Sequence, residues 1–134
     1  MSSPALELQG LIVARLKGDA TVSALVGSRI YDSIPAGAVF PYVSMGPRDE
    51  LSDDADCVTG FEISLQIDVW SREVGFPEVQ RISDAVRKSL VEYEFPEMEN
   101  PIVLFRHDQT RLFRDPDALT THAAMSFEAF AEQP

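Results

Sequence analysis

The feature that most narrows what this chain can fold into is the alternation Phe61, Ile63, Leu65, Ile67, Val69, interleaved with Glu62, Ser64, Gln66 and Asp68. Apolar residues at every second position describe a strand with one buried face, because successive side chains of extended backbone point to opposite sides. The strand stops near Trp70, and a short loop through Arg72 and Gly75 leads to Pro77. Proline suits the first position of a helix, where its missing N–H would have no intrahelical partner. Val79, Ile82, Val86 and Leu90 then recur at helical spacing, so the helix is expected to pack back onto the strand it follows.

The same reasoning extends in both directions. Ser3 caps a helix opened by Pro4, with Leu8, Ile12 and Leu16 on one side and an end near Lys17. Asp19 caps a shorter turn over 21–26, stopped by Gly27. Residues 30–37 read as an irregular approach to a strand over 42–48, with Tyr31, Phe40 and Tyr42 packing its entry. Residues 49–58 are acidic and aperiodic and predict a long hairpin loop, after which the strand 59–70 is long enough to cross a small domain and project beyond it. The helix from 77 to about 92 cannot continue past Pro96 and Pro101. Strands over 102–113 and 120–131 flank a turn built on Asp115, Pro116 and Asp117. The order α-β-β-α-β-β predicts a single α+β domain over 1–134, two-layered, with a mainly antiparallel β-sheet and helices on one face. The other face needs a covering or a partner.

Charge limits the partners. The chain carries 22 acidic and 11 basic residues, a net charge of −11, which repels nucleic acid and anionic lipid. Asp49, Glu50, Asp53, Asp54, Asp56, Glu62 and Asp68 fall in a span without Lys or Arg, whereas Arg106, Arg111 and Arg114 gather elsewhere. Such blocks are solvated faces or the two halves of a head-to-tail self-association. No run of about 18 apolar residues suggests a membrane helix. The first residues lack the basic and apolar parts of a signal peptide, so a soluble protein made inside the cell is expected. The single cysteine, Cys57, excludes an intrachain disulfide.

Chemistry is sparse. His107, Asp108 and His122 could meet across the last hairpin, but a zinc site needs further ligands, and no cofactor or metal is expected. Cys57 lies among carboxylates that disfavour a thiolate. Asp53, Asp54 and Asp56 lack the spacing and terminal Glu of a calcium loop. No phosphate-binding glycine loop, nucleophile elbow or zinc-protease pair occurs, so no enzymatic activity is expected. Trp70 is either sheet packing or the anchor of a subunit contact. Arg72 is expected to pair locally with Asp68 or Glu73.

Three stretches carry a family resemblance. Ala24, Leu25, Val26, Gly27, Ser28, Arg29, Ile30, Tyr31 and Asp32, then Pro35, Phe40, Pro41, Tyr42, Val43 and Gly46, resemble the opening of the tail terminator, or tail completion, proteins of long-tailed phages and phage-like gene transfer agents. Val69, Trp70, Ser71, Arg72, Gly75, Glu78 and the run from Ile82 to Val86 are similar to that family's strand-to-helix passage, and Phe113, Arg114, Asp115, Pro116, Asp117, Thr120 and His122 to its closing hairpin. The resemblance implies a hexameric ring at the head-proximal end of the virion tail, assembled in the host cytoplasm. The ring binds the tail tube protein, halts its polymerisation and presents a surface to the neck or head-completion protein. DNA only passes through the lumen, and no membrane, cofactor or catalysis is involved. Arg72, Arg114, Asp115 and Asp117 match recurring positions, as neighbour contacts or as braces of turns. The acidic loop over 49–58 would become ordered in the assembly, and exposed strand edges would offer subunit contacts. The competing readings are a neck or head-closure protein that binds the connector, and a small α+β ligand-binding domain built on His107, Asp108 and His122.

Overall fold

A computed structural model describes residues 3–54 and 59–133. Its elements are α1 (Pro4–Gly18), α2 (Ala20–Val26), β1 (Ile30–Tyr31), β2 (Tyr42–Ser52), β3 (Gly60–Ser71), α3 (Pro77–Val91), β4 (Ile102–Arg114) and β5 (Thr121–Glu132). The strands form one sheet in the order β1-β2-β3-β5-β4, antiparallel except for β1 with β2. The α+β class expected from the sequence stands, with α2 and β1 added to the expected order.

β3 is the spine. It pairs with β5 from Gly60 to Ser71 and with β2 over most of that length, so it does not project beyond the sheet as its length suggested. Ile63, Ile67 and Val69 are fully buried and join Ala123, Met125, Phe127, Ala129 and Ala131 of β5 in one core. Leu8, Ile12 and Leu16 of α1, Val22 and Val26 of α2, and Val79, Ile82, Val86 and Leu90 of α3 complete it. Burial of each such aliphatic side chain contributes about 1.5–3 kcal/mol, and these side chains decide which face of the sheet the helices cover.

Local signals set the helix ends. Ser3 Oγ accepts the Leu6 N–H at 3.3 Å, and Pro4 opens α1. Asp19 closes α1 through its own N–H to Leu16 and caps α2 by accepting the N–H groups of Thr21 and Val22 at 2.9 and 3.2 Å. Gly27 then leaves the helix with a positive φ of 61°, a conformation with little steric cost only for glycine.

Two expectations are corrected. Residues 30–31, read as irregular, form the short parallel strand β1, registered against Val43 and Ser44. Residues 49–52, assigned to a loop, continue β2 and pair with Phe61 to Ser64. Their periodicity is hidden because β2 lies outermost beyond β1, and its second half is exposed on both faces. Asp56 and Cys57 lie outside the described residues.

Asp19→Ala should cost about 1 kcal/mol of unfolding free energy, read from the urea midpoint, while Asp19→Asn keeps most of it because the amide oxygen still accepts the two N–H groups. Equal losses in the two variants would show that capping is not what Asp19 contributes.

Candidate assembly surface

Strand register builds an aromatic row across the sheet on the face turned away from the core. Tyr42 pairs with Trp70, Trp70 with His122, and His122 with Phe113, so β2, β3, β5 and β4 each supply one ring. Trp70 stacks on His122 at 3.8 Å between centroids, and Phe113 lies 4.7 Å from His122 on its other side. Tyr42 meets Trp70 at 6.4 Å, and Phe40 and Tyr31 extend the cluster from the approach to β2, as expected of them.

Polar groups brace the row. Trp70 Nε1 donates to Ser44 Oγ at 3.0 Å. His122 Nε2 lies 2.6 Å from Asp68 Oδ1, both residues being buried, and Gln66 Nε2 donates to the same oxygen at 2.8 Å. The other imidazole nitrogen faces Asp115 at 3.9 Å. Gly46 makes room for this arrangement: a Cβ there would stand 2.7 Å from Asp68 Oδ2.

Three loops leave the sheet at this end, at residues 32–41, 72–76 and 115–120. Arg72, on the second of them, ties all three together. Its Nε donates to Thr120 Oγ1 at 3.2 Å, its Nη2 approaches Asp117 at 3.9 Å, and its guanidinium lies over the Phe40 ring at 4.4 Å. These partners replace the expected Asp68 and Glu73, because Asp68 is turned inward toward His122. Asp117 accepts the N–H groups of Leu119 and Thr120 and the Thr120 hydroxyl, which hold its carboxyl below the usual carboxylate range. Arg114 lies over Phe76 at 5.6 Å. Ile34, Val39, Val74 and Leu119 are exposed apolar residues of the same loops, Val74 at 96%.

Of the residues singled out in the sequence, Trp70, Arg72, Arg114, Asp115 and Asp117 therefore come together, whereas Asp49, Glu50, Asp53 and Asp54 lie at the opposite end of β2. Glu50 is occupied within the chain, since its Oε1 accepts from Ser3 Oγ at 2.7 Å and from the Ala5 N–H at 2.8 Å. Asp54 accepts the Gly60 N–H at 3.3 Å. Ser44, Asp68 and His122 carry no sequence signal as a cluster, because only the register of three strands joins them. His107 and His122 do not share a site. His107 pairs with Phe127, facing α3, and lies 2.7 Å from Thr110 Oγ1, while His122 pairs with Phe113 on the other face. Among the described residues no group of three His, Cys, Asp or Glu side chains could hold a metal ion, and no helix is long and apolar enough to cross a membrane.

The surface is thus one of loops braced by polar side chains and exposing apolar residues at their ends. The chain belongs to the tail completion protein gp17 family, whose sequence profile matches residues 10–132. It is thus a structural protein of a virion tail and not an enzyme. A chain from the virion of a native gene transfer agent particle superposes with a TM-score of 0.90 and 26% identity, covering 98% of this chain and 99% of that one. The gp17 protein of bacteriophage SPP1 shares the fold at a TM-score of 0.62 and 18% identity, covering 97% of this chain and 91% of that one. No curated protein sequence matches the chain.

Asp68→Ala leaves the His122 ring nitrogen buried without its acceptor and should lower stability by about 1–3 kcal/mol, with a smaller loss for Asp68→Asn. Calorimetric unfolding of the two variants checks this, and an unchanged Tm for Asp68→Ala would mean the pair is not a brace.

Burial pushes the His107 imidazole below its usual 6.5, Arg87 adds to this, and Asp108 and a backbone hydrogen bond oppose it. A base with a lowered folded pKa is favoured neutral in the fold, so its contribution is complete above the unfolded value and declines on acidification. The parent protein should therefore lose more stability than His107→Asn between about pH 7.5 and about pH 5.5. Parallel pH profiles of the two proteins would refute the assignment.

Proposed function

We propose that this protein is a tail terminator that closes into a hexameric ring on the head-proximal end of the tail tube, halts tube polymerisation and offers its outer surface to the neck or head-completion protein. The observation that carries this reading is the family match over residues 10–132 together with near-complete superposition on a chain of a gene transfer agent virion. DNA passes the lumen without specific contact, in keeping with a net charge of −11 per subunit. Heterologous contacts between copies close a ring when the rotation closes and run into a filament when it does not, so ring closure is what separates a terminator from another layer of tube.

Within this reading the loop end is the docking surface for the tail tube protein. Ile34, Val39, Val74 and Leu119 form its apolar contacts, and Trp70, Arg72, Arg114, Asp115 and Asp117 fix the loops that present them. Exposed apolar groups framed by Arg and aromatic side chains have the composition of protein-binding surfaces. Asp49, Asp53 and Asp54 belong to contacts at the opposite end.

Light scattering on a sizing column, over a concentration series with and without purified tube protein, should reveal a species at the mass of six 14.9 kDa chains. Negative-stain images should show its central hole. Val74→Asp combined with Leu119→Asp should abolish capping of tubes while leaving the ring mass unchanged, because both side chains are exposed and make no core contact. Capping at the parental level would exclude the loop end as the tube contact, and capture by the connector in place of the tube would identify a neck protein instead.

A further inference from the structure

The two outer edges of the sheet match each other in register, and on one face their residues are complementary. Among the described residues β4 pairs only with β5, and β2 is covered by β1 only at Val43 and Ser44. Irregularities divide both edges. On β4 the register shifts between Ile102 and Leu104 and again between His107 and Gln109, leaving 104–107 regular. On β2 it shifts between Met45 and Arg48, leaving 48–52 regular. Traced through β5 and β3, these windows lie at the same height of the sheet. Leu104 leads through Phe130 and Glu62 to Leu51, and Arg106 leads through Glu128 and Ser64 to Asp49.

Both rows lie on the face away from the core. Leu104 and Leu51 are 53% and 64% exposed. Arg106 already bonds Glu128, its Nε donating at 2.9 Å, which leaves the guanidinium held in place at the edge of the sheet. A row that crosses four antiparallel strands alternates bonded and non-bonded pairs, so its two end residues turn their N–H and C=O groups alike, both outward or both inward. The end of one row can therefore continue into the start of the same row on another molecule without a change of phase or face. Rotation about an axis along the strands keeps strand direction, and β4 and β2 run oppositely, so the junction is antiparallel.

We propose that the partner of each edge is a second copy of this chain, β4 of one molecule adding antiparallel to β2 of the next through 104–107 and 48–51, with Leu104 against Leu51 and Arg106 against Asp49. Apolar and opposite-charge pairs directly across strands are the favourable combinations, and the unpaired backbone of an edge supplies the hydrogen bonds. The junction rests on the reading of the protein as a ring former and specifies how that ring is joined.

Leu51→Cys with Leu104→Cys, in a chain whose Cys57 is replaced by Ser, tests it. Mild oxidation should give a ladder of covalent multimers ending at the ring, which collapses on reduction, while either single cysteine gives none. A ring seen by light scattering that runs only as monomer on the non-reducing gel would overturn the junction and leave ring formation standing. A protein that stays monomeric at every concentration and on tubes would overturn both. As an independent readout, Asp49→Arg and Arg106→Glu should each raise the concentration for half-assembly by about fivefold or more, and the double variant should recover most of it. Additive losses without recovery would reject the pairing of Arg106 with Asp49.

Discussion

Everything in this fold depends on β3 being paired on both sides. A strand flanked by β2 and β5 along most of its length has little free backbone, so its alternation must be resolved into one face against the helices and one face away from them. That choice fixes the rest. The core takes Ile63, Leu65, Ile67 and Val69, and the intervening residues align across four strands into rows with chemistry of their own. The aromatic row at Trp70 and the charged row at Ser64 are both consequences of a register set on the buried face, where a slip of a single residue would exchange the two sides of the sheet.

Much of this is legible in the sequence because the signals are local. The caps at Ser3 and Asp19, the proline that opens α3 and the turn at Asp115 each act within a few residues of where they stand. What escapes is of two kinds. The second half of β2 has no buried face to impose a period, which is why it reads as loop, and β1 with its single buried Ile30 is too short to show one. Long-range polar pairing is the other. Asp68 sits where alternation predicts solvent, and only a strand separated from it by 54 residues supplies the imidazole that allows its burial. Arg72 illustrates the same point, for its neighbours in sequence are carboxylates while its partners are Thr120 and Phe40, brought in by the closing hairpin and by the approach to β2.

The stretches on which the chain resembles the tail completion family include residues that hold shape in this structure. Gly46, Trp70, Arg72 and His122, which belong to the stretches resembling that family, all lie in or beside the braced row. A protein whose task is to present surfaces has use for such rigidity: loops held by a guanidinium and a capped aspartate lose less freedom on meeting a partner than free loops would.

The brevity of β1 has its own significance. A β1 that ran on to the level of Ser52 instead of ending opposite Ser44 would saturate the outer backbone of β2 from within the molecule, and any incoming strand would then have to displace a competitor tethered at high effective concentration. By ending after two residues, β1 anchors the entry of β2 and withdraws. Among the described residues the second half of β2 thereby keeps its outer backbone groups free for a strand from outside, with Arg48 and Asp49 standing beside them.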